Sequence, residues 1–110
     1  MVTVAETGEF VRRASSLLAD NEREALVFYL SYHPEAGVLV RETGGLRKLR
    51  WGIGSKGKRG GARVIYYFHS ERMPLYLLTV YAKGEQADLS SDDRRQLRSL
   101  VELLRKANGL

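Results

Sequence analysis

The sequence predicts an α+β domain, and three observations carry this prediction. Residues 62–69 (ARVIYYFH) and 75–82 (LYLLTVYA) are β-branched or aromatic at most positions and apolar on both faces, which is typical of central strands covered by helices. Apolar residues recur at helical spacing in two segments before these strands and in one after them. A chain of 110 residues, 44% of them hydrophobic, can bury one core, so residues 1–110 are predicted to form a single domain.

The N-terminal third of the chain is predicted to form one short strand and two helices. Residues 2–4 read as a strand, and Thr7 is placed to cap the first helix. The spacing of Asn21 and Glu24 is that of a capping box in front of a second helix, which His33-Pro34 ends. The apolar stripes predicted for the two helices are Phe10, Ala14, Leu17 and Leu18 in the first, and Ala25, Phe28, Tyr29 and Tyr32 in the second.

The rest of the chain is predicted to form three antiparallel strands and a last helix. Residues 46–51 (LRKLRW) form the first of these strands, and the loop 70–74 joins the other two in a hairpin. Ser90 and Asp93 form a capping box before a helix whose apolar stripe is Leu97, Leu100, Val101 and Leu104. The predicted order is β-α-α-β-β-β-α, a small antiparallel sheet with two N-terminal helices and one C-terminal helix.

Composition excludes several classes of protein. The chain has no cysteine, which rules out disulfides and thiolate metal sites. The N-terminal segment lacks the pattern of a signal peptide, and no apolar run approaches the roughly 18 residues of a membrane span, so we expect a cytoplasmic protein without membrane contact. His33 and His69 are isolated from each other and from carboxylate pairs, so neither a metal nor another cofactor is expected.

Positive charge is concentrated in one segment, residues 41–63. It holds eight of the 18 basic residues against one acid, Glu42, for a net charge of +7, while the remaining residues sum to −2. The glycines make it a poor helix, so a nucleic acid is a better partner for it than a membrane surface. The basic residues of the segment are Arg41, Arg47, Lys48, Arg50, Lys56, Lys58, Arg59 and Arg63.

The predicted hairpin brings further charge to this segment. Antiparallel pairing across residues 70–74 places the start of the strand at Arg63 beside the end of the strand before Lys83, next to the loop 55–61. A glycine-rich loop lets lysine side chains approach phosphates closely. Aromatic side chains such as Tyr81 and Trp51 would stack on unpaired bases, which favours single-stranded RNA, or would pack as half-buried residues of the sheet; the same holds for Tyr66, Tyr67 and Tyr76.

Four segments resemble one known family: GGLRKLRW, KGKRGGARVIYYF, LYLLTVYAK and the DLS before the last helix. Over about residues 40–106 the chain is similar to RelE/HigB-like toxins of bacterial type II toxin-antitoxin systems, and closest to the HigB branch with a KGKRGG loop. The resemblance implies the RelE-like fold and a ribosome-dependent endoribonuclease that cuts mRNA in the A site of the 70S ribosome. It also implies a cognate antitoxin with a helix-turn-helix, of the HigA kind.

Metal-free RNA cleavage proceeds by attack of the ribose 2′-OH on its own 3′ phosphate, and it needs a base, an acid and a cation for the growing charge. The resemblance makes Arg63 the transition-state clamp, and Lys56, Lys58 and Arg59 the residues that hold the RNA backbone. Lys56 or Lys58 would serve as base if neighbouring positive charge lowers its pKa, and Lys83 is the second candidate for base or acid. Lys48, Arg50 and Tyr81 complete the predicted RNA contacts.

The chain departs from the family where the acid and base are concerned. Gly84 and Ser90 stand where better-known RelE members have an arginine and a tyrosine, and the histidine that some HigB relatives use near the C-terminal strand has no counterpart. The phosphate clamp therefore carries over, and the acid-base assignment does not. Two other readings stay open: a ParE-like toxin that inhibits DNA gyrase without nuclease activity, and a non-catalytic RNA-binding module. The last helix either only packs or also meets the antitoxin.

Overall fold

The chain forms a mixed β-sheet with helices on both faces. The computed structural model describes residues 1–54, 61–86 and 88–110. In these residues the elements are β1 (Val4–Glu6), α1 (Gly8–Leu17), α2 (Asp20–Tyr32), β2 (Val38–Leu39), β3 (Leu46–Trp51), β4 (Ala62–Tyr67), β5 (Leu75–Ala82) and α3 (Ser91–Ala107). The strand order is β1-β5-β4-β3-β2. The predicted α+β class is confirmed.

The sheet differs from the fully antiparallel arrangement in its first strand. β1 lies parallel to β5, whereas the other neighbouring strands are antiparallel. A hairpin forces antiparallel pairing, but β1 and β5 are separated by most of the chain and are free to run in the same direction. The short strand β2 was not predicted, and it pairs with β3 through Val38 and Leu39.

Each face of the sheet has its own hydrophobic core. On one face, α1 and α2 bury side chains such as Phe10 and Leu26 against Val64 of β4. On the other face, α3 buries Val101 against residues such as Ile65. Every residue of β4 is buried, which bears out its prediction as a central strand covered by helices, and the structure covers it on both faces.

Two of the three predicted helix caps are correct. The Thr7 hydroxyl accepts a hydrogen bond from the Phe10 backbone N–H at 3.3 Å, and Ser90 and Asp93 form a reciprocal capping box at 3.0 and 3.1 Å. The prediction for α2 places its N-cap at Asn21, two residues after the observed N-cap, Ala19. The helix begins at Asp20, and the carboxylate of Glu22 accepts from the Ala19 backbone N–H at 2.8 Å.

The buried face of α2 is also different from the predicted one. Leu26 and Leu30 are fully buried, whereas Phe28 is 65% exposed and Tyr32 is 54% exposed. The two exposed rings contact each other with centroids 5.1 Å apart. The sequence ALVFYL allows two apolar stripes one residue apart, and the aliphatic one with Leu26 and Leu30 is the stripe that packs in the core. The aromatic stripe forms an exposed ridge.

No helix in the described parts of the chain is both long enough and apolar enough to cross a membrane.

Candidate nucleic-acid interface

The register of the sheet brings several cationic side chains to one place. Arg50 of β3 pairs with Arg63 of β4, and Arg63 pairs in turn with Tyr81 of β5. Lys48 pairs with Ile65, which belongs to the core beneath α3. Because side chains directly opposite in neighbouring strands point to the same face, all of these residues face α3. We call Lys48, Arg50, Arg63 and the nearby Arg94 of α3 the cationic face.

Arg63 is the most deeply placed residue of the cationic face. Its exposed fraction is 8%, and its Nη1 donates to the carbonyl oxygen of Ala62 at 3.3 Å. An arginine remains charged when it is buried, and its field is screened less there than in water. The prediction that it stands at the head of a strand is correct. The environment differs from an open basic surface, because Arg63 is almost fully buried.

Tyr81 lies beside Arg63 and is 1% exposed. Its hydroxyl has no hydrogen-bond partner among the described residues. Burial raises the pKa of Tyr81, the negative charge of Asp88 raises it further, and Arg63 acts in the opposite direction. With its ring covered, Tyr81 does not offer a face for a base to stack on, which corrects the role predicted for it.

The other aromatic candidates pack within the protein, which was the alternative to stacking on RNA bases. Tyr66 and Tyr67 are buried in the two cores. Trp51 is half-buried, and its indole N–H donates to the carbonyl oxygen of Glu22 at 3.3 Å. Tyr76 packs against the core beneath α3. In the part of the chain that the structure describes, cationic side chains rather than exposed aromatic rings dominate this candidate interface.

Asp88 is part of the interface, although the sequence did not single it out. Its carboxylate contacts Lys48 Nζ at 3.1 Å and Arg94 Nη2 at 3.4 Å, and it accepts from the Leu89 backbone N–H at 2.8 Å. Burial raises the pKa of Asp88, but the Leu89 N–H, Lys48 and Arg94 outweigh burial and hold that pKa below its ordinary value. Its only signal in the sequence is the DLS motif, since its partner Lys48 is 40 residues away.

Lys83 is not brought together with Arg63, contrary to the prediction. Its backbone N–H donates to the Gly61 carbonyl oxygen at 3.2 Å, so the two chain segments do meet. The Lys83 side chain is exposed, however, and it lines a shallow depression with Leu17 and Ile53 on the α1 side of the sheet. The reason is that β5 ends at Ala82 and the chain turns there. A role for Lys83 as acid or base beside Arg63 is therefore not supported.

Lys56, Lys58 and Arg59 lie outside the described residues. The residues on either side of this segment are described, and they fix where it starts and ends. Trp51 at the end of β3 pairs with Ala62 at the start of β4. The glycine-rich segment between the two strands, residues 52–61, therefore leaves and rejoins the sheet at the end that carries Arg50 and Arg63.

The two histidines make contacts elsewhere in the fold. His33 ends α2, with its ring 4.8 Å from that of Tyr29, and His69 Nδ1 lies 2.9 Å from the Ser70 hydroxyl. The described residues contain no group of three or more histidine, aspartate or glutamate side chains suited to a metal ion. Asp88 is the carboxylate that contacts two residues of the cationic face, Lys48 and Arg94.

No protein-family model matches the chain.

Proposed function

We propose that this protein is the toxin of a type II toxin-antitoxin system, a ribosome-dependent endoribonuclease of the RelE/HigB-like kind. It would act in the cytoplasm on mRNA in the A site of the 70S ribosome and so inhibit translation. One observation carries the proposal: Arg63 is buried on the cationic face, beside Arg50 and Lys48, at the end of the sheet where the glycine-rich segment joins it. The resemblance of residues 40–106 to this family supports it.

In this proposal Arg63 neutralises the charge that grows on the phosphate as the ribose 2′-OH attacks. A guanidinium group suits this task because it holds two phosphate oxygens and remains charged. Its position on a fully buried strand fixes it before the RNA arrives, and a prearranged cation does not have to reorganise during the reaction. Lys48 and Arg50 would hold the neighbouring phosphates.

The proton transfers are assigned to the glycine-rich segment. Lys56 or Lys58 remains the proposed base, the other of these two lysines takes the role of acid in place of Lys83, and Arg59 would bind the RNA backbone. The segment joins the sheet at Arg63, whereas the Lys83 side chain lies on the α1 side. Neighbouring cations favour the neutral form of a lysine, which is the form that a general base needs. This assignment involves no metal or other cofactor.

The cationic face holds phosphates without offering exposed rings to the bases. Contacts of this kind give affinity but do not read sequence. The choice of cleavage site would then come from the ribosome, which presents one codon to the enzyme at a time. A cognate antitoxin of the helix-turn-helix kind would keep the enzyme inactive until it is released.

The test compares mRNA ends after translation in a bacterial lysate with the wild type, Arg63→Ala and Arg63→Lys. We expect new mRNA 5′ ends with the wild type, a loss of about 100-fold or more with Arg63→Ala, and partial activity with Arg63→Lys. Arg72→Ala is the matched control, since Arg72 is exposed in the hairpin loop at the opposite end of the sheet. Circular dichroism confirms that each variant is folded.

Intact transcripts with the wild type, or equal cleavage by the wild type and Arg63→Ala, would refute the proposal. A parallel reaction on the same mRNA without ribosomes tests the dependence on translation. Inhibition of DNA gyrase supercoiling in the absence of any cleavage would instead identify a ParE-like toxin.

A further inference from the structure

The Asp88 carboxylate is held from three directions on the cationic face. Its Oδ1 accepts from Lys48 Nζ at 3.1 Å and from the Leu89 backbone N–H at 2.8 Å, and its Oδ2 accepts from Arg94 Nη2 at 3.4 Å. Two cations and one main-chain donor thus converge on one anion. Such a set of donors is suited to a phosphate as well as to a carboxylate.

We propose that Lys48, Arg94 and the Leu89 backbone N–H form a second phosphate-binding site, which Asp88 fills until a phosphate of the bound RNA displaces it. The inference rests on the proposed function, because it assigns this site to a phosphate next to the one that Arg63 holds. Asp88 then acts as an internal competitor that lowers the affinity of the free protein for RNA.

The position of the site relative to Arg63 supports this assignment. Lys48 lies one strand across from Arg63 and two residues along, since Arg50 pairs with Arg63. Standard sheet spacings place the Cα atoms of Lys48 and Arg63 about 8 Å apart. Two phosphates of one extended RNA strand can reach both sites, because lysine and arginine side chains add several ångströms of adjustable length.

The contacts of Asp88 are of a kind that an RNA phosphate can replace. Its side chain is 46% exposed, and those of Lys48 and Arg94 are 31% and 32% exposed. Ion pairs with this exposure are weak because solvent competes with them. Asp88 also lies between β5 and α3, outside both elements, so its carboxylate can leave the site while the sheet and the helix stay in place.

A different role for Asp88, as the general base, fits the structure less well. Its pKa is held below the ordinary value, and a carboxylate that stays ionised binds a proton weakly. An efficient general base has a pKa near the working pH. The same surroundings that make Asp88 a weak base make it a good substitute for a phosphate.

The test measures binding of a single-stranded RNA oligonucleotide with 2′-O-methyl riboses, which cannot be cleaved by 2′-OH attack. Fluorescence anisotropy at several salt concentrations gives Kd and its salt dependence. We expect Asp88→Asn to bind about threefold to tenfold more tightly than the wild type. We also expect its slope of log Kd against log salt to be steeper, because in the wild type salt also weakens the ion pairs of Asp88 that the RNA must break, which offsets part of the salt dependence.

Asp92→Asn is the matched control, because Asp92 is an acid at the start of α3 that pairs with Arg95 and Gln96 instead of the cationic face. It changes the net charge by the same amount. Asparagine at position 88 keeps an oxygen for the Leu89 N–H, so the start of α3 is preserved. Adding Lys48→Gln to Asp88→Asn should abolish the gain in affinity.

Equal Kd values for Asp88→Asn and Asp92→Asn would overturn the inference, as would weaker binding by Asp88→Asn or no binding by any variant at low salt. The mRNA cleavage assay judges the proposed function separately. Cleavage that depends on Arg63, together with equal affinities of the two asparagine variants, would reject the second phosphate site alone. A gain in affinity without cleavage by the wild type would reject the nuclease and leave an RNA-binding face.

Discussion

Removing one hydroxyl group from each of two buried tyrosines should have different effects on stability. The Tyr66 hydroxyl accepts from the Gly37 backbone N–H at 2.8 Å and donates to the Pro34 carbonyl oxygen at 2.9 Å. The Tyr81 hydroxyl is buried without a hydrogen-bond partner among the described residues. The two residues lie on neighbouring strands, and both are almost fully buried. They therefore form a matched pair for the same substitution.

The expected magnitudes follow from these contacts. Tyr66→Phe leaves a donor at Gly37 and an acceptor at Pro34 without partners, which should lower the free energy of unfolding by about 1–3 kcal/mol. Tyr81→Phe removes a buried hydroxyl that makes no hydrogen bond to the described residues, so it should leave that free energy unchanged or raise it by about 1 kcal/mol. Each kcal/mol corresponds to a shift in Tm of roughly 4 °C for a domain of this size.

Urea unfolding, followed by far-UV circular dichroism, measures both variants against the wild type. Equal m values would show that the substitutions change stability alone. If Tyr81→Phe loses as much stability as Tyr66→Phe, the Tyr81 hydroxyl has a partner in solution, and our description of its surroundings beside Arg63 is wrong. A fall in mRNA cleavage by Tyr81→Phe without any loss of stability would give the hydroxyl a part in the reaction.

Three further predictions concern packing and ionisation. Gly37→Ala should lower the free energy of unfolding by about 1–3 kcal/mol in urea titrations, because the added Cβ would lie 2.8 Å from Cε1 of the buried Tyr66 ring. Leu26→Ala should lower the same quantity by about 2–5 kcal/mol, whereas Phe28→Ala should change it by less than about 0.5 kcal/mol; the reverse order would mean that α2 is rotated. The folded state lowers the pKa of Asp88, so this carboxylate stabilises the fold above about pH 4 and loses its contribution as the pH falls through the folded-state value. Asp88→Asn should therefore flatten the acid-side decline of stability in unfolding experiments at several pH values, and an unchanged decline would contradict the reasoning.

The elements that local sequence determines were predicted well. β4 and β5 are continuous apolar runs with β-branched and aromatic residues, and this pattern fits only buried strands of that length. The capping box of Ser90 and Asp93 is equally local, because both partners lie within one turn. Such features need no knowledge of the rest of the fold, since their energetic causes lie within a few residues.

Errors arose where a distant part of the chain decides between local alternatives. In α2 the run ALVFYL supports two stripes, and only the position of the sheet selects Leu26 and Leu30 over Phe28 and Tyr32. The face of Lys83 depends on where β5 ends and how the chain turns there. Neither outcome has a signature in the sequence at those positions.

The candidate site was predicted in part for the same reason. The predicted hairpin placed Arg63 at the end of the sheet, but it did not reveal that Arg50 pairs with Arg63 or that Asp88 meets Lys48 across 40 residues of sequence. A single acid before a helix is ordinarily explained by the helix dipole, so the sequence gives no reason to look further. Ion pairs between distant residues become visible only in the folded chain.

Under the proposed function, the placement of Arg63 would let a small domain hold a reactive phosphate firmly. β4 changes character along its length on the face beneath α3, from Tyr67 and Ile65 in the core to Arg63 at the end of the sheet. The packing that stabilises the fold therefore also fixes the strand that carries the proposed clamp. A group on a buried central strand is held more accurately than one on a loop. The lysines proposed to move protons lie instead on the adjoining glycine-rich segment, so positioning and proton transfer are divided between strand and loop.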